Sequence, residues 1–376
     1  MVELLRWCRG VADRLIDWFL RPTNVGLRLV QGGMGLFGIA SAGNWLFNVN
    51  ADTPWGKFSF QLSNPGSTSD FLTSAAALLA LLMIVGGAVF AVINQVRINR
   101  LQTRQRVLVL EMRGLADTSD APLKDAIPKR LTGIPESVLV DVRQHMQSNS
   151  TSSLGVVLDE LSGIPRDLGS RRKDFARSDI STVVGGILPV PFLFHVGVLL
   201  DDESHVTLMD WERTEGEWRD LAEPDDGRRF EICGLEQLQH GVHKEVVVAV
   251  SASYSVDEQG IAETFAGFAV VHLRVPSPMP NALWSEAKQQ ALANQFLQTL
   301  GIVASGGTEM VHLILAAPAS LAIRLGSSYD VRNFPAAIAY QYERTQQNKY
   351  PWGVRLRTHG VTRAEIVETN RATMVA

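Results

Sequence analysis

Residues 71–93, FLTSAAALLALLMIVGGAVFAVI, form an unbroken apolar run without a charged side chain. As a helix rising 1.5 Å per residue, such a run crosses a hydrocarbon core of ~30 Å, so this part of the chain is expected to fold in lipid. A second candidate span, about 25–49, is interrupted by Arg28, Gln31 and Asn44, with Arg28 near enough to its end to snorkel to the interface. The competing reading is a secretory signal, because Ala40-Ser41-Ala42 follows an apolar core. Glu3, Asp13 and Asp17 in the preceding segment speak against it.

Arginines set the orientation. Arg97, Arg100, Arg104 and Arg106 follow the second span and Arg6, Arg9, Arg14 and Arg21 precede the first, whereas the loop 50–70 holds only Lys57. Excess positive charge marks the cytoplasmic side, so a hairpin filling 23–94, with spans about 25–49 and 71–94, leaves both termini inside, and Trp45 and Trp55 lie near the outer interface. Ahead of it, residues 1–22 place Leu4, Leu5, Cys8, Val11, Leu15, Ile16 and Phe19 on one helical face. That amphipathic helix suits the membrane interface or a protein neighbour equally. Gly33 to Gly38 match GxGxxG, but inside a span with no strand before them they lack the context of a dinucleotide site. Gly38 with Ala42, Ala76 with Ala80 and Gly87 with Ala91 let helices approach closely, within a hairpin or between copies. Two helices cannot enclose a pore, so conduction requires a homo-oligomer in the lipid bilayer.

The remainder reads as water-soluble. A net charge of -4 provides no basic footprint for a DNA or RNA polymer, and Cys8 and Cys233 are too few for a disulfide framework or a zinc site. A helical connector is expected over 95–174, from a charged helix to about residue 115 and a second over 136–161 broken by polar residues 148–153. No internal repeat is evident. The run 183–200, VVGGILPVPFLFHVGVLL, is expected to be buried strand and loop rather than a third span, given Pro189, Pro191, His195 and the acidic residues that follow.

From Lys244 onward β-rich apolar runs alternate with helical ones: strands at 245–251, 268–275, 310–316, 336–342 and 353–357, helices at 281–302 and 319–325. This alternation predicts an α/β domain with a mostly parallel sheet, whose ligands bind beyond the carboxyl ends of the strands. Two strand ends carry suitable chemistry. Ser251, Ser253 and Tyr254 follow one, and Pro318, Ala319 and Ser320 open a helix after another, where free N–H groups can hold a phosphate without a lysine cluster. Trp211 and Arg213 upstream supply a stacking face and a phosphate fork. Tyr342 and Trp352 offer a second aromatic set, and Trp218 is as readily a core residue.

EVVVAVSASY at 245–254, VHLILAAPASLAIRLG at 311–326 and AAIAYQYERTQQNKYPWGVRL at 336–356 resemble the SAVED domain of bacterial CBASS anti-phage systems, over about 175–372. The hairpin is similar to that of the two-transmembrane SAVED effectors. The resemblance implies a SAVED fold of two fused CARF-like Rossmann halves behind a membrane α-helical hairpin. It implies as ligand a cyclic di- or trinucleotide, made by a cGAS/DncV-like nucleotidyltransferase during infection. Binding would drive assembly and open a pore or disrupt the inner membrane. Ser251, Ser253 and Tyr254 fall on the family's strand-end loop and Pro318 to Ser320 on its strand–helix turn; Trp211 and Arg213 are added from their chemistry alone. The alternative is a membrane-anchored sensor that recruits a separate effector.

HExxH, GxxxxGK[ST] and GxSxG are absent, so metalloprotease, P-loop and hydrolase readings lack their residues. His240 and His243 form an isolated HxxH without further ligands nearby. No enzymatic activity, cofactor or metal is expected.

Overall fold

Helix α1 (Val25–Ser41) takes up only the first part of the span expected over 25–49, whose residues 47–49 fall in a strand instead, and α2 (Ser69–Arg104) carries the second apolar run. The structure, a computed structural model, describes residues 25–41, 47–53, 56–62, 69–147, 150–172, 175–203, 205–358 and 363–369. The amphipathic helix expected over 1–22 lies outside the described residues, as do Trp45 and Trp55. The chain divides after Gln102 into two compact units.

In the first unit α2 runs for 36 residues, ~54 Å at helical rise, and its segment Leu78–Arg97, with a mean hydropathy of 2.2, is long and apolar enough to cross a membrane. Strands β1 (Phe47–Thr53) and β2 (Gly56–Leu62) pair antiparallel between the helices, Phe47 opposite Leu62 and Thr53 opposite Gly56. Close packing of α1 on α2 depends on glycine. A Cβ on Gly26 would sit 2.4 Å from the Gly87 carbonyl oxygen, and one on Gly33 2.8 Å from that of Ala80. Of the small residues singled out in the sequence, Ala80 and Gly87 therefore serve the hairpin itself, whereas a Cβ on Gly38 would meet nothing.

The second unit corrects the expected connector. Residues 106–172 form β3 (Arg106–Arg113), β4 (Ile134–Asp141), the single turn α3 (Arg143–Met146), α4 (Thr151–Ser162) and α5 (Ile164–Arg172). The expected charged helix continues only to Arg104; beyond it Val107 to Leu110 are buried side by side, and an apolar run of alternating valine and leucine suits a central parallel strand covered on both faces. The run 183–200 likewise needs correction. It is β5 (Ile180–Ile187) followed by a buried helix, α6 (Val190–Leu199), whose Pro189 and Pro191 stand at the cap and first turn, where a missing N–H costs nothing. Strands β6 (Val206–Glu212) and β7 (Glu217–Asp220) complete a five-stranded sheet of order β4-β3-β5-β6-β7, parallel except for β7.

A second sheet repeats this order. Strands β8 (Glu231–Cys233), β9 (Glu245–Ser251), β10 (Ala269–Arg274), β11 (Met310–Ala316), β12 (Ala336–Gln341), β13 (Trp352–Arg355) and β14 (Glu365–Glu368) assemble as β14-β13-β12-β11-β9-β10-β8. Within it β10-β9-β11-β12 are parallel and β13 antiparallel, as in the first sheet, while β8 and β14 extend the edges. Helices α7 (Glu258–Thr264), α8 (Glu286–Ser305) and α9 (Ala319–Ser327) connect its strands, and the two repeats exchange helices: α9 packs on β5 and β6, and α6 on β12 and β13. The chain therefore contains an internal repeat that the sequence does not display. Ile187-Leu188-Pro189 leads into α6 as Ala316-Ala317-Pro318 leads into α9, and Gly197 corresponds to Gly326. These glycines mark the junction of the repeats: a Cβ on Gly197 would lie 2.1 Å from the Ile323 carbonyl oxygen, and one on Gly326 2.0 Å from that of Phe194. One apolar core, including Leu110, Phe192, Phe194, Val250 and Leu313, runs through both repeats.

Candidate ligand site

In an open sheet of this order the ligand crevice lies where the chain reverses direction across the sheet, between the carboxyl ends of its first and third strands in sequence. The two repeats provide two such points, β3/β5 and β9/β11, and both open into one cleft of about 360 Å³. Leu115, Ile187, Leu188, Val190 and Leu193 come from the first switch point, and Ser253, Tyr254, Ala317, Pro318 and Ala319 from the second. The end of β6 adds Asp210, Trp211, Arg213 and Thr214; residues 279–284, between β10 and α8, form the remaining wall. This volume falls within the roughly 300–1,000 Å³ typical of small-molecule sites.

Each wall is pinned. The amides of Ala252 and Ser253 both donate to the Ala316 carbonyl at 3.0 Å, holding the ends of β9 and β11 together. The 279–284 wall is tied to the first repeat, where Asn281 Nδ2 donates to Glu212 Oε1 at 3.1 Å and the Glu223 amide to the Trp284 carbonyl at 2.9 Å. Asn281 has φ +60°, a left-handed conformation that asparagine tolerates better than most residues. Trp211 stands edge-on to the buried Trp218, ring centroids 5.3 Å apart at 74°, which fixes one indole face beside the cleft. Leu115, Tyr254 and Met279 are about half exposed along the rim. Arg213 is the only Lys or Arg, and Asp210 the only carboxylate, among the described residues lining it. Burial pushes the Asp210 carboxyl above its ordinary value; bonds from Ser320 and the Ala319 amide, and the charge of Arg213, pull it back. Broad apolar faces beside one cation can take flat rings together with an anionic group.

The family model for the SMODS-associated and fused to various effectors sensor domain, SAVED, matches residues 164–356, just over half of the chain. The chain belongs to the SAVED family. A second family model, the SAVED-fused 2TM effector domain, matches residues 3–158, so a two-transmembrane effector region precedes the sensor. Among solved structures, the Acinetobacter baumannii Cap4 SAVED/CARF-domain containing receptor with the cyclic trinucleotide 3′3′3′-cAAA is similar at TM-score 0.45 and 10% identity, over 75% of this chain and 60% of that one. The Moraxella osloensis Cap4 SAVED/CARF-domain containing receptor is similar at TM-score 0.42 and 10% identity, over 74% and 58%. The chain thus spans about three fifths of the length of these receptors. No curated protein matches it.

Of the residues selected from sequence, the SAVED cleft brings together Trp211, Arg213, Ser253, Tyr254, Pro318 and Ala319. The other four lie elsewhere. Ser251 is buried beneath the cleft and its hydroxyl accepts from the Val256 amide at 3.1 Å. Ser320 is fully buried, its hydroxyl engaged by Gln289 Nε2 at 2.7 Å and by Asp210. Tyr342 points to Asp257, donating to Oδ2 at 3.3 Å, and Trp352 is core, 5.4 Å from the Phe192 ring. Sequence reading missed Asp210, the wall 279–284 and the entire contribution of the β5–α6 turn. Pro189 and Gly197, spaced like Pro318 and Gly326, were the available signal for that turn.

Proposed function

We propose that the SAVED cleft binds a cyclic di- or trinucleotide, supplied by a cGAS/DncV-like nucleotidyltransferase of an anti-phage CBASS system. Binding drives subunits together, and the assembled helices α1 and α2 open a pore in the inner membrane. Both termini face the cytoplasm in this reading, which the excess of arginine beside the spans supports, so the cleft meets a cytoplasmic messenger. The supporting observation is the meeting of two switch points in one cleft: a ligand built from two or three repeated nucleotides is matched by a site built from two repeated half-sites. The chain's role is to bind and transmit, without chemistry of its own. Thermal unfolding of the full chain against a panel of cyclic di- and trinucleotides tests it, since a ligand that binds only the native state raises the melting temperature. One or a few members are expected to do so. A flat response across the whole panel contradicts the proposal.

A further inference from the structure

Helix α9 starts where doubly wound sheets commonly hold a phosphate, at the carboxyl end of a strand with its unpaired N–H groups directed at the crevice. In this chain that seat is taken. Its cap residue, Pro318, has no side-chain acceptor, and the acceptor comes instead from β6 in the other repeat. The Ser320 amide donates to Asp210 Oδ1 at 3.2 Å, the Ser320 hydroxyl donates to Oδ2, and the Ala319 amide also bonds this carboxylate. Asp210 is 6% exposed, yet it lines the cleft.

The internal repeat supplies an independent comparison. Val184 pairs with Leu208 as Leu313 pairs with Ala339, which places Gln341 of β12 at the position of Asp210. The helix packed on β12 is α6, and at the place of Ser320 it has Pro191, with no N–H to offer. A carboxylate therefore occurs where the helix start presents donors, and an amide where one of them is missing. Charge and donor are matched within the chain itself.

We propose that Asp210 is a specificity-determining residue of the cleft: its carboxylate fills the anion seat at the start of α9, excludes ligand phosphate from it and leaves Arg213 as the phosphate contact. The assignment of phosphate to Arg213 rests on the cyclic-nucleotide reading; the exclusion does not. A ligand is thereby held by its bases and one phosphate, and compounds that rely on several phosphates, such as linear nucleoside triphosphates, gain nothing from α9.

The test follows thermal unfolding of the full chain in nanodiscs in inorganic phosphate and in chloride of equal ionic strength. Wild type, with the start of α9 closed to anions, is expected to show only the small, non-saturating rise that phosphate gives folded proteins as an excluded salt. Asp210→Asn removes the internal charge, and its melting temperature is expected to rise with phosphate concentration along a saturating curve. Asp210→Ser, which keeps an oxygen for the Ser320 amide, is the second variant and is expected to respond in the same way. Variants no more responsive than wild type, or a wild type as responsive as the variants, overturn the proposal. Failure of both variants to fold also overturns it, since the carboxylate would then be a folding element rather than an excluder. Because the probe is phosphate alone, failure here is distinguishable from failure of the cyclic-nucleotide reading, which the ligand panel tests separately.

Discussion

Trp211 is the cleft residue whose geometry is best prepared for a base, since Trp218 holds its ring from the side. Trp211→Ala removes one stacking platform, worth ~1–3 kcal/mol, and calorimetry with whichever cyclic nucleotide binds should show Kd rising by about 5- to 150-fold with the fold retained. Arg213→Met should weaken binding and reduce the salt dependence of log Kd by about one counterion; an unchanged slope contradicts phosphate contact there. Ser320→Asp should act on folding rather than on the ligand. The new carboxylate would be fully buried against Asp210, so loss of the folded state is expected, and circular dichroism showing an intact fold contradicts the packing. His195 governs acid stability. Burial pushes its imidazole from 6.5 down to about 4, and among the described residues neither ring nitrogen has a hydrogen-bond partner. The unfolded chain takes up this proton below about 6.5, the folded chain only near 4. Stability from this group is complete above that upper value and is lost as pH falls toward the lower one, by about 3 kcal/mol at most. His195→Leu should therefore raise the melting temperature at pH ~5 more than at pH ~8; equal shifts contradict the assignment.

At the scale of elements, the α6–α9 crossing is the least tolerant part of the SAVED domain. Gly326→Ala drives a methyl to within 2.0 Å of a backbone oxygen, and because two helices rather than a flexible side chain must yield, a cost at or above the ~3 kcal/mol upper range for overpacking is expected. Gly155→Ala, whose Cβ meets open space in α4, should instead stabilise by ~0.5–1 kcal/mol. Urea unfolding of both variants checks the pair. The same physics explains what was legible in the sequence. Strands β9 and β11 were readable residue for residue, because each is a β-rich apolar run closed by polar turn chemistry. Strand β3 was obscured by the arginines around it, and α6 by prolines that break a helix interior but suit its start. Trp352 and Tyr342 could not be sorted into core and surface before the register of β12 and β13 was known, since strand side chains alternate faces. Asp210 carries no local signal at all; its partner Ser320 is 110 residues away. The repeat stayed hidden because between Pro189 and Gly197, and between Pro318 and Gly326, the two segments share pattern but almost no residues.

For the whole molecule, a SAVED sensor joined to a two-transmembrane effector region separates recognition from output, and the proposed function needs the two to be coupled. If the hairpin is only an anchor, its replacement by an unrelated two-helix hairpin leaves every response intact; if α1 and α2 form the conduction path, the chimera binds ligand with native affinity but conducts nothing. Gly26 and Gly87, where the two helices touch backbone to backbone, give a milder version of this experiment, because Gly87→Leu should part the hairpin while leaving the cleft alone. The most direct measurement is ion flux from liposomes reconstituted with the full chain, recorded as the cyclic nucleotide selected by thermal unfolding is added outside or inside. Flux is expected to rise with ligand occupancy, to appear only when ligand reaches the face bearing the SAVED domain, and to shift to higher ligand concentration with Trp211→Ala. Saturated binding with no change in permeability, or flux that ignores Trp211→Ala, would contradict the proposed function.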